Sequence, residues 1–584
     1  MQILRLLPGF TLLLATAFAT DPAFDTWADN LTAESMRADP SGATRNQFFQ
    51  GAEQDALDRQ ITPITKAYKA ARVDFARRAL AELAGFDRTR LDPQQVVSAR
   101  IIEWDLQERI KLAAFDDHTF VFNQFWGLHV TLVNFLSQTH PVRHRRDIEN
   151  YLARLELVAG QMDEGIAQAR DAATRGFLMP DFITQAALGQ FDRFLAGEPA
   201  QNILVTSLTE RAAKVAELSA EDRTAFVTAA EKIVATAILP AFQRARALLQ
   251  EQLPHTTSDA GLWRLPGGEA AYAARLAYFT TTSLSPQEVH EIGRREVARI
   301  EIEMDRLLRQ LGYTEGTVKE RFTRLNDDSQ PPAEPDPRPA LIARYQEILA
   351  DSVKRSEALF DLRPVAACEV LREPPFTEKT AAAHYSVPAR DGSKPGIFWA
   401  PLPGPTFKIL NMRTLTYHEA IPGHHFQLAV IQEMTGLPRF RQDRIFGANS
   451  ANAEGWALYA EQLATEYGWY EGDLKGLLGQ LDAELFRARR LVADTGLHTM
   501  KWTRQQAIDY GIFPHEVDRY VVIPGQACSY KIGQLKILEL RAKARAALGE
   551  KFAIKEFHNV VLRAGVVPLS VLEQIVDDWI AATL

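Results

Sequence analysis

The sequence predicts a mainly α-helical fold with a small β element. Three observations carry this reading. Long segments repeat apolar residues at helical spacing, helix-start signals recur, and alternating polar and apolar runs are scarce. With 584 residues, 46% of them apolar and 24% charged, the chain has material for a sizeable core.

Residues 1–19 stand apart. One early arginine, an apolar run from Leu6 and the small-residue pattern Ala17-Phe18-Ala19 predict a secretory signal cut after Ala19. No cysteine follows the run, which argues against a bacterial lipid anchor. The expectation is an exported protein, periplasmic or secreted, with no second apolar run of membrane length. Residues 20–584 then read as one domain. In 94–112, Ile102, Leu106 and Ile110 recur every four residues, as one helix face requires. Ser285, Pro286 and Glu288 supply an N-cap, a first-turn proline and a capping-box glutamate for a helix that ends at Gly312. The proline-rich stretch 325–339 predicts a surface loop where two helical lobes meet. "GIFWAP" (396–401) is the best strand candidate, and 478–502 and 529–548 predict further long helices.

The formal charge of −8, without any basic run, argues against a nucleic-acid binder and points to a small molecule or peptide as the partner. Two cysteines occur, Cys368 and Cys528; a disulfide and two separate buried thiols both fit.

The chemistry concentrates in "RTLTYHEAIPGHHFQLAV" (413–430). A hydrolytic zinc ion needs three protein ligands, an open position for water, and a carboxylate to take that water's proton. His418 and Glu419 supply the first half of such a motif, but the position four residues on is Pro422. The next histidines are His424 and His425. Six residues of unbroken helix climb about 9 Å, too far for two imidazoles on one ion. Pro422 has no amide hydrogen for the His418 carbonyl, and Gly423 beside it tolerates unusual backbone angles. The Pro-Gly pair therefore predicts a break that brings a later histidine back to His418, and spacing does not select between His424 and His425. Glu454, on a helix that Asn452 would cap, offers the third ligand. Glu461, seven residues on, would orient a ligand from behind. Arg490, Asp494 and His498 fall at four-residue intervals on one helix face, so Asp494 is expected to hold His498 toward the site.

"YHEAIPGHHFQ", "AEGWALYAE", "RLVADTGLH" and "PGQACSYKIGQLKI" together resemble the bacterial family called domain of unknown function 885. That family is similar to the helical zinc peptidases that include angiotensin-converting enzyme and the oligopeptidases. The resemblance implies a two-lobed helical fold with a deep cleft, and a zinc-dependent peptidase acting on short peptides. It favours His424 over His425 as ligand, which leaves His425 behind the site. It further implies that the strand at Ile397, Phe398 and Trp399 hydrogen-bonds substrate backbone. Tyr530, with Tyr520 second, would donate to the oxyanion, and Arg519 or Lys531 would hold a substrate carboxylate. Two other readings compete: a zinc hydrolase of non-peptide amides or cell-wall crosslinks, and an exported peptide-binding protein without catalysis.

Overall fold

The start signals read from the sequence cap helices in the computed structural model, which describes residues 20–374, 378, 381–389, 392 and 394–584. The expected signal, 1–19, lies outside the described residues. Helices α1 (Pro22–Arg37) and α2 (Pro40–Asn46) each open with an Asp cap followed by a proline at the first helical position. After α3 (Lys66–Leu83), α4 (Pro93–Ala113) buries Ile102 and Leu106 completely, as their spacing predicts. Helix α5 (Pro286–Gln310) carries the reciprocal Ser285–Glu288 capping box and stops just short of Gly312. A helix, Val318–Asp328, occupies the start of the expected loop, and α6 (Arg338–Ser356) begins before its end. The connection between them is stapled down. Gln330 exchanges two hydrogen bonds of 2.8 Å with the Phe407 backbone, and Arg338 Nε donates to the Leu402 carbonyl.

The β element is a three-stranded sheet of order β1 (Cys368–Arg372), β3 (Gly396–Ala400), β2 (His384–Ser386). Strand β3, the predicted one, lies in the centre, parallel to β1 and antiparallel to β2. Ten helices follow the sheet among the described residues, and six of them frame the site: α7 (Met412–Glu419), α8 (His424–Glu433), α9 (Ser450–Glu466), α10 (Leu474–Thr499), α11 (Pro514–Val522) and α12 (Ser529–Leu548).

Two large apolar clusters form the interior. The first joins Phe24 to Leu106 with the sheet, α6 and the C-terminal helices; residues on both sides of 325–339 therefore feed it. The second runs through Phe120 to Val289 and takes in the end of α10 and the buried face of α11. Helix α12 belongs to both, with Ile532 in the second and Ile537 in the first. One expectation is corrected here. Among the described residues the continuous helical stretch Ala220–His255 is long and apolar enough to cross a membrane, with a mean hydropathy of 1.5 over its most apolar part. In the fold its Val234, Ile238, Phe242 and Leu249 face packs into the second cluster. Both cysteines are free thiols.

Candidate metal centre

The interruption at Pro422 decides which histidine meets His418. Helix α7 ends at Glu419, and α8 restarts at His424 after the turn Ala420–Gly423, whose Ile421–Pro422 peptide is cis. The chain folds back so tightly that a Cβ on Gly423 would stand 1.9 Å from the His418 carbonyl oxygen and 2.3 Å from that of Tyr417. Only glycine fits there. Trp456 Nε1 of α9 pins the turn from outside, donating to the Pro422 carbonyl at 2.8 Å. The result sets the His418 and His424 rings 4.8 Å apart, nearly perpendicular at 83°.

Glu454 completes the group. Its Oε2 lies 3.4 Å from His418 Nε2 and 3.5 Å from His424 Nε2. Two ligands on one tetrahedral ion, each about 2.0–2.2 Å from it, stand roughly 3.4 Å apart. The spacing fits a shared metal, and this buried oxygen makes no regular hydrogen bond of its own. His418, His424 and Glu454 can each offer a ligand atom, all within 4.8 Å of one another.

Behind this group, His418 Nδ1 donates to Glu461 Oε1 at 2.7 Å, which turns Nε2 toward Glu454. The Thr414 hydroxyl donates to the other Glu461 oxygen. Thr414 was missed in the sequence, although it sits one turn before His418 on the same face. Burial works against charge on His418, yet the Glu454 carboxylate beside it, the hydrogen bond to Glu461 and the nearby Glu419 raise it to about 10. Burial also favours a neutral Glu454, but His424 and His418 hold its carboxyl well below the ordinary range. Three carboxylates around two imidazoles make a site that favours a cation. Glu419 is 5% exposed and enters no hydrogen bond or ion pair among the described residues.

Helices α9 and α12 run parallel in close contact. The Ser450 hydroxyl donates to Ser529 Oγ at 2.7 Å, and a Cβ on Gly455 would meet the Gly533 backbone at 2.4 Å. Gln534 Nε2 donates to the Leu458 carbonyl. Tyr530 lies one turn before Gln534, and Glu454 one turn before Leu458, so this register sets Tyr530 level with Glu454. The Arg490 guanidinium stacks 4.4 Å from the Tyr530 ring centre, and Arg519 Nη2 approaches its hydroxyl at 3.5 Å. Glu516 accepts from both arginines. Tyr520 is fully buried, and burial pushes its phenol far up.

Several expectations are corrected by the geometry. Ile397, Phe398 and Trp399 are paired on both sides, because β3 is the central strand; the sheet's edges belong to β1 and β2. Lys531 is buried, and its ammonium is taken up by Glu484, Glu296 and Gln534, which leaves no donor for a substrate. Asp494 does not hold His498. It accepts from the Tyr272 hydroxyl at 2.7 Å and the Gly525 amide at 3.0 Å, and burial raises it to about 7. His498 is occupied by the Leu262 amide and the Tyr520 carbonyl, and burial lowers it to about 3. His425 points away from the group: Nε2 donates to the Ala366 carbonyl, and Tyr385 donates to Nδ1. The cap of α9 is Asn449, one turn before Asn452, which instead accepts from Gln427.

Comparison with known proteins agrees with this architecture. A crystal structure of a candidate lipoprotein from Colwellia psychrerythraea is 30% identical, with a TM-score of 0.85 over 95% of this chain and 99% of that one. A candidate lipoprotein of unknown function from Shewanella oneidensis, 18% identical, has the same fold at a TM-score of 0.72 over the same shares. A search of curated proteins finds no match. Residues 42–576 match the family described as "Bacterial protein of unknown function (DUF885)", and the chain belongs to that family.

Proposed function

We propose that this protein is an exported zinc-dependent peptidase that hydrolyses short peptides. One observation carries the reading: His418, His424 and Glu454 converge at metal-ligand spacing, with the carboxylate of Glu419, unpaired among the described residues, next to His418 in sequence. Two histidines and one carboxylate, with room left for water, are the donor set of hydrolytic zinc sites. Zinc at this position supplies a Lewis acid that polarises a carbonyl and acidifies water. The chain's own residues do the rest. Glu461 fixes the His418 ring, so the ligand geometry does not drift. Glu419 takes the proton of the attacking water and passes it to the leaving amine. Tyr530, level with Glu454, donates to the oxygen that gains charge, and Arg519 beside it favours that role. The apolar N-terminal run supports export, as does the candidate-lipoprotein description of the Colwellia relative.

The test is digestion of a defined peptide library by the mature, zinc-loaded protein, read by mass spectrometry. Wild type is expected to cleave, and Glu419→Gln to bind zinc equally while cleaving at least about 100-fold more slowly. Equal cleavage by Glu419→Gln, or no cleavage by a zinc-loaded wild type, removes the proposal.

A further inference from the structure

Away from His418, His424 and Glu454, a polar cavity of about 230 Å³ opens between α1, α2, α3, α4 and the turn that follows Gln442. It shares no residue with the metal group, and a water molecule's share of liquid volume is only about 30 Å³. Its charge is unbalanced. Arg45, Arg72, Arg109 and Arg444 line it against two carboxylates, Asp39 and Asp443. Both acids are engaged elsewhere. Asp39 caps α2 through the Gly42 amide and accepts from Thr62, and Asp443 pairs with Arg439 at 2.9 Å.

The arginines are left short of partners. Arg109 is held by Asp105, one turn before it on α4. Arg72 forms no ion pair among the described residues; its Nη2 donates to the Ser35 hydroxyl at 2.8 Å, which leaves the hydroxyl proton free to donate in turn. Burial and the nearby Arg109 both push the Arg72 guanidinium below its ordinary value, and both half-buried cations line the same cavity. Tyr68 lies within the field of both. Arg45 and Arg444 are exposed at the cavity mouth and form no ion pair among the described residues.

Like charges held together in a partly buried site are stabilised by an anion that bridges them. Guanidinium groups arriving from four separate segments suit a tetrahedral anion better than one planar carboxylate. The excess of two positive charges matches a dianion. We propose that this cavity is a binding site for a phosphate dianion, gripped by Arg72 and Arg109 and drawn in by Arg45 and Arg444. The group is either free inorganic phosphate or the phosphoryl end of a small phosphomonoester, and the lining is too polar for a larger apolar ligand.

Calorimetric titration of the full mature chain at constant ionic strength tests this. The probes are inorganic phosphate, glycerol 3-phosphate and succinate, each against wild type, Arg72→Gln and Arg444→Gln. Saturable binding of a phosphate probe, weakened at least about tenfold in both variants, is expected. The tighter of the two phosphate probes identifies the source. Circular dichroism checks the fold of Arg72→Gln; Arg444→Gln, at the exposed rim, keeps the test decisive if Arg72→Gln unfolds. No saturable heat with either phosphate probe, affinity unchanged by Arg444→Gln, or succinate binding as tightly as phosphate overturns the proposal. Glu419→Gln is expected to bind phosphate as wild type does, whatever its effect on peptide cleavage.

Discussion

Adjacent in sequence, His424 and His425 stand in opposite situations. His424 turns Nε2 toward Glu454, while both nitrogens of His425 are spent on Ala366 and Tyr385. His424→Ala is therefore expected to lose zinc, and His425→Ala to keep one equivalent, by metal analysis of dialysed protein. Zinc loss confined to His425→Ala would reverse the assignment. Asp494 offers a second test at this scale. Burial raises its carboxyl from 3.8 to about 7, so folding prefers the protonated form. Its contribution is full below about pH 4 and is lost as pH rises to about 7, by roughly 4 kcal/mol from the three-unit shift. Asp494→Asn removes this penalty. Its urea stability relative to wild type should improve steadily from pH 4 to pH 7 and then level off, and a flat difference contradicts the shift.

The decisive element is the α7–α8 break. A substitution that spares every side chain of the metal group can still destroy it by pushing this turn apart. Gly423→Ala places a methyl 1.9 Å from the His418 carbonyl, a contact that must open the turn. The expected cost is about 1–3 kcal/mol of stability together with loss of zinc affinity, by urea unfolding and metal titration. A Gly423→Ala protein with wild-type zinc binding would show that the turn tolerates rearrangement. The sequence had announced this element. A proline and glycine between two histidine-bearing segments said that the helix must break, and the fold returns His424 to His418 across it. The sheet was less legible. "GIFWAP" reads as a strand from its own residues, but its place between β1 and β2 depends on partners up to 28 residues away. A strand's neighbours are not written in its own alternation.

At the scale of the whole molecule, buried histidines set the response to acid. His129, His140, His498 and His558 are held neutral by burial, at about 4, 3, 3 and 4 against an ordinary 6.5. Their folded values are depressed, so their contribution is full above pH 6.5 and is lost as pH falls through 4 to 3. Each is worth roughly 3–5 kcal/mol, while a domain's net stability is only about 5–15 kcal/mol. His425, lowered by burial to about 4, adds to them; Asp494 and Asp482, both raised by burial, act in the opposite direction, but the histidines outnumber them and decide the sign. Thermal melts should fall steeply in midpoint between pH 6.5 and 4, and a midpoint constant over that range contradicts the burial of these rings.

By itself, the sequence determined the helical class, the Ser285 helix start and the need for a break at Pro422, because these depend on residues within a turn or two of one another. It singled out Glu454 as an acidic residue at the start of the helix that follows the histidines, and Glu461 because it shares that helix face. Only the tertiary structure decided what long-range packing governs: that Lys531 is consumed by Glu296 and Glu484, that His498 is satisfied by Leu262 and Tyr520, and that β3 is central. A charged or aromatic residue reads the same in a sequence whether its partner is a substrate or a distant helix. The difference lies in which buried groups must satisfy one another, and that is settled when the helices pack.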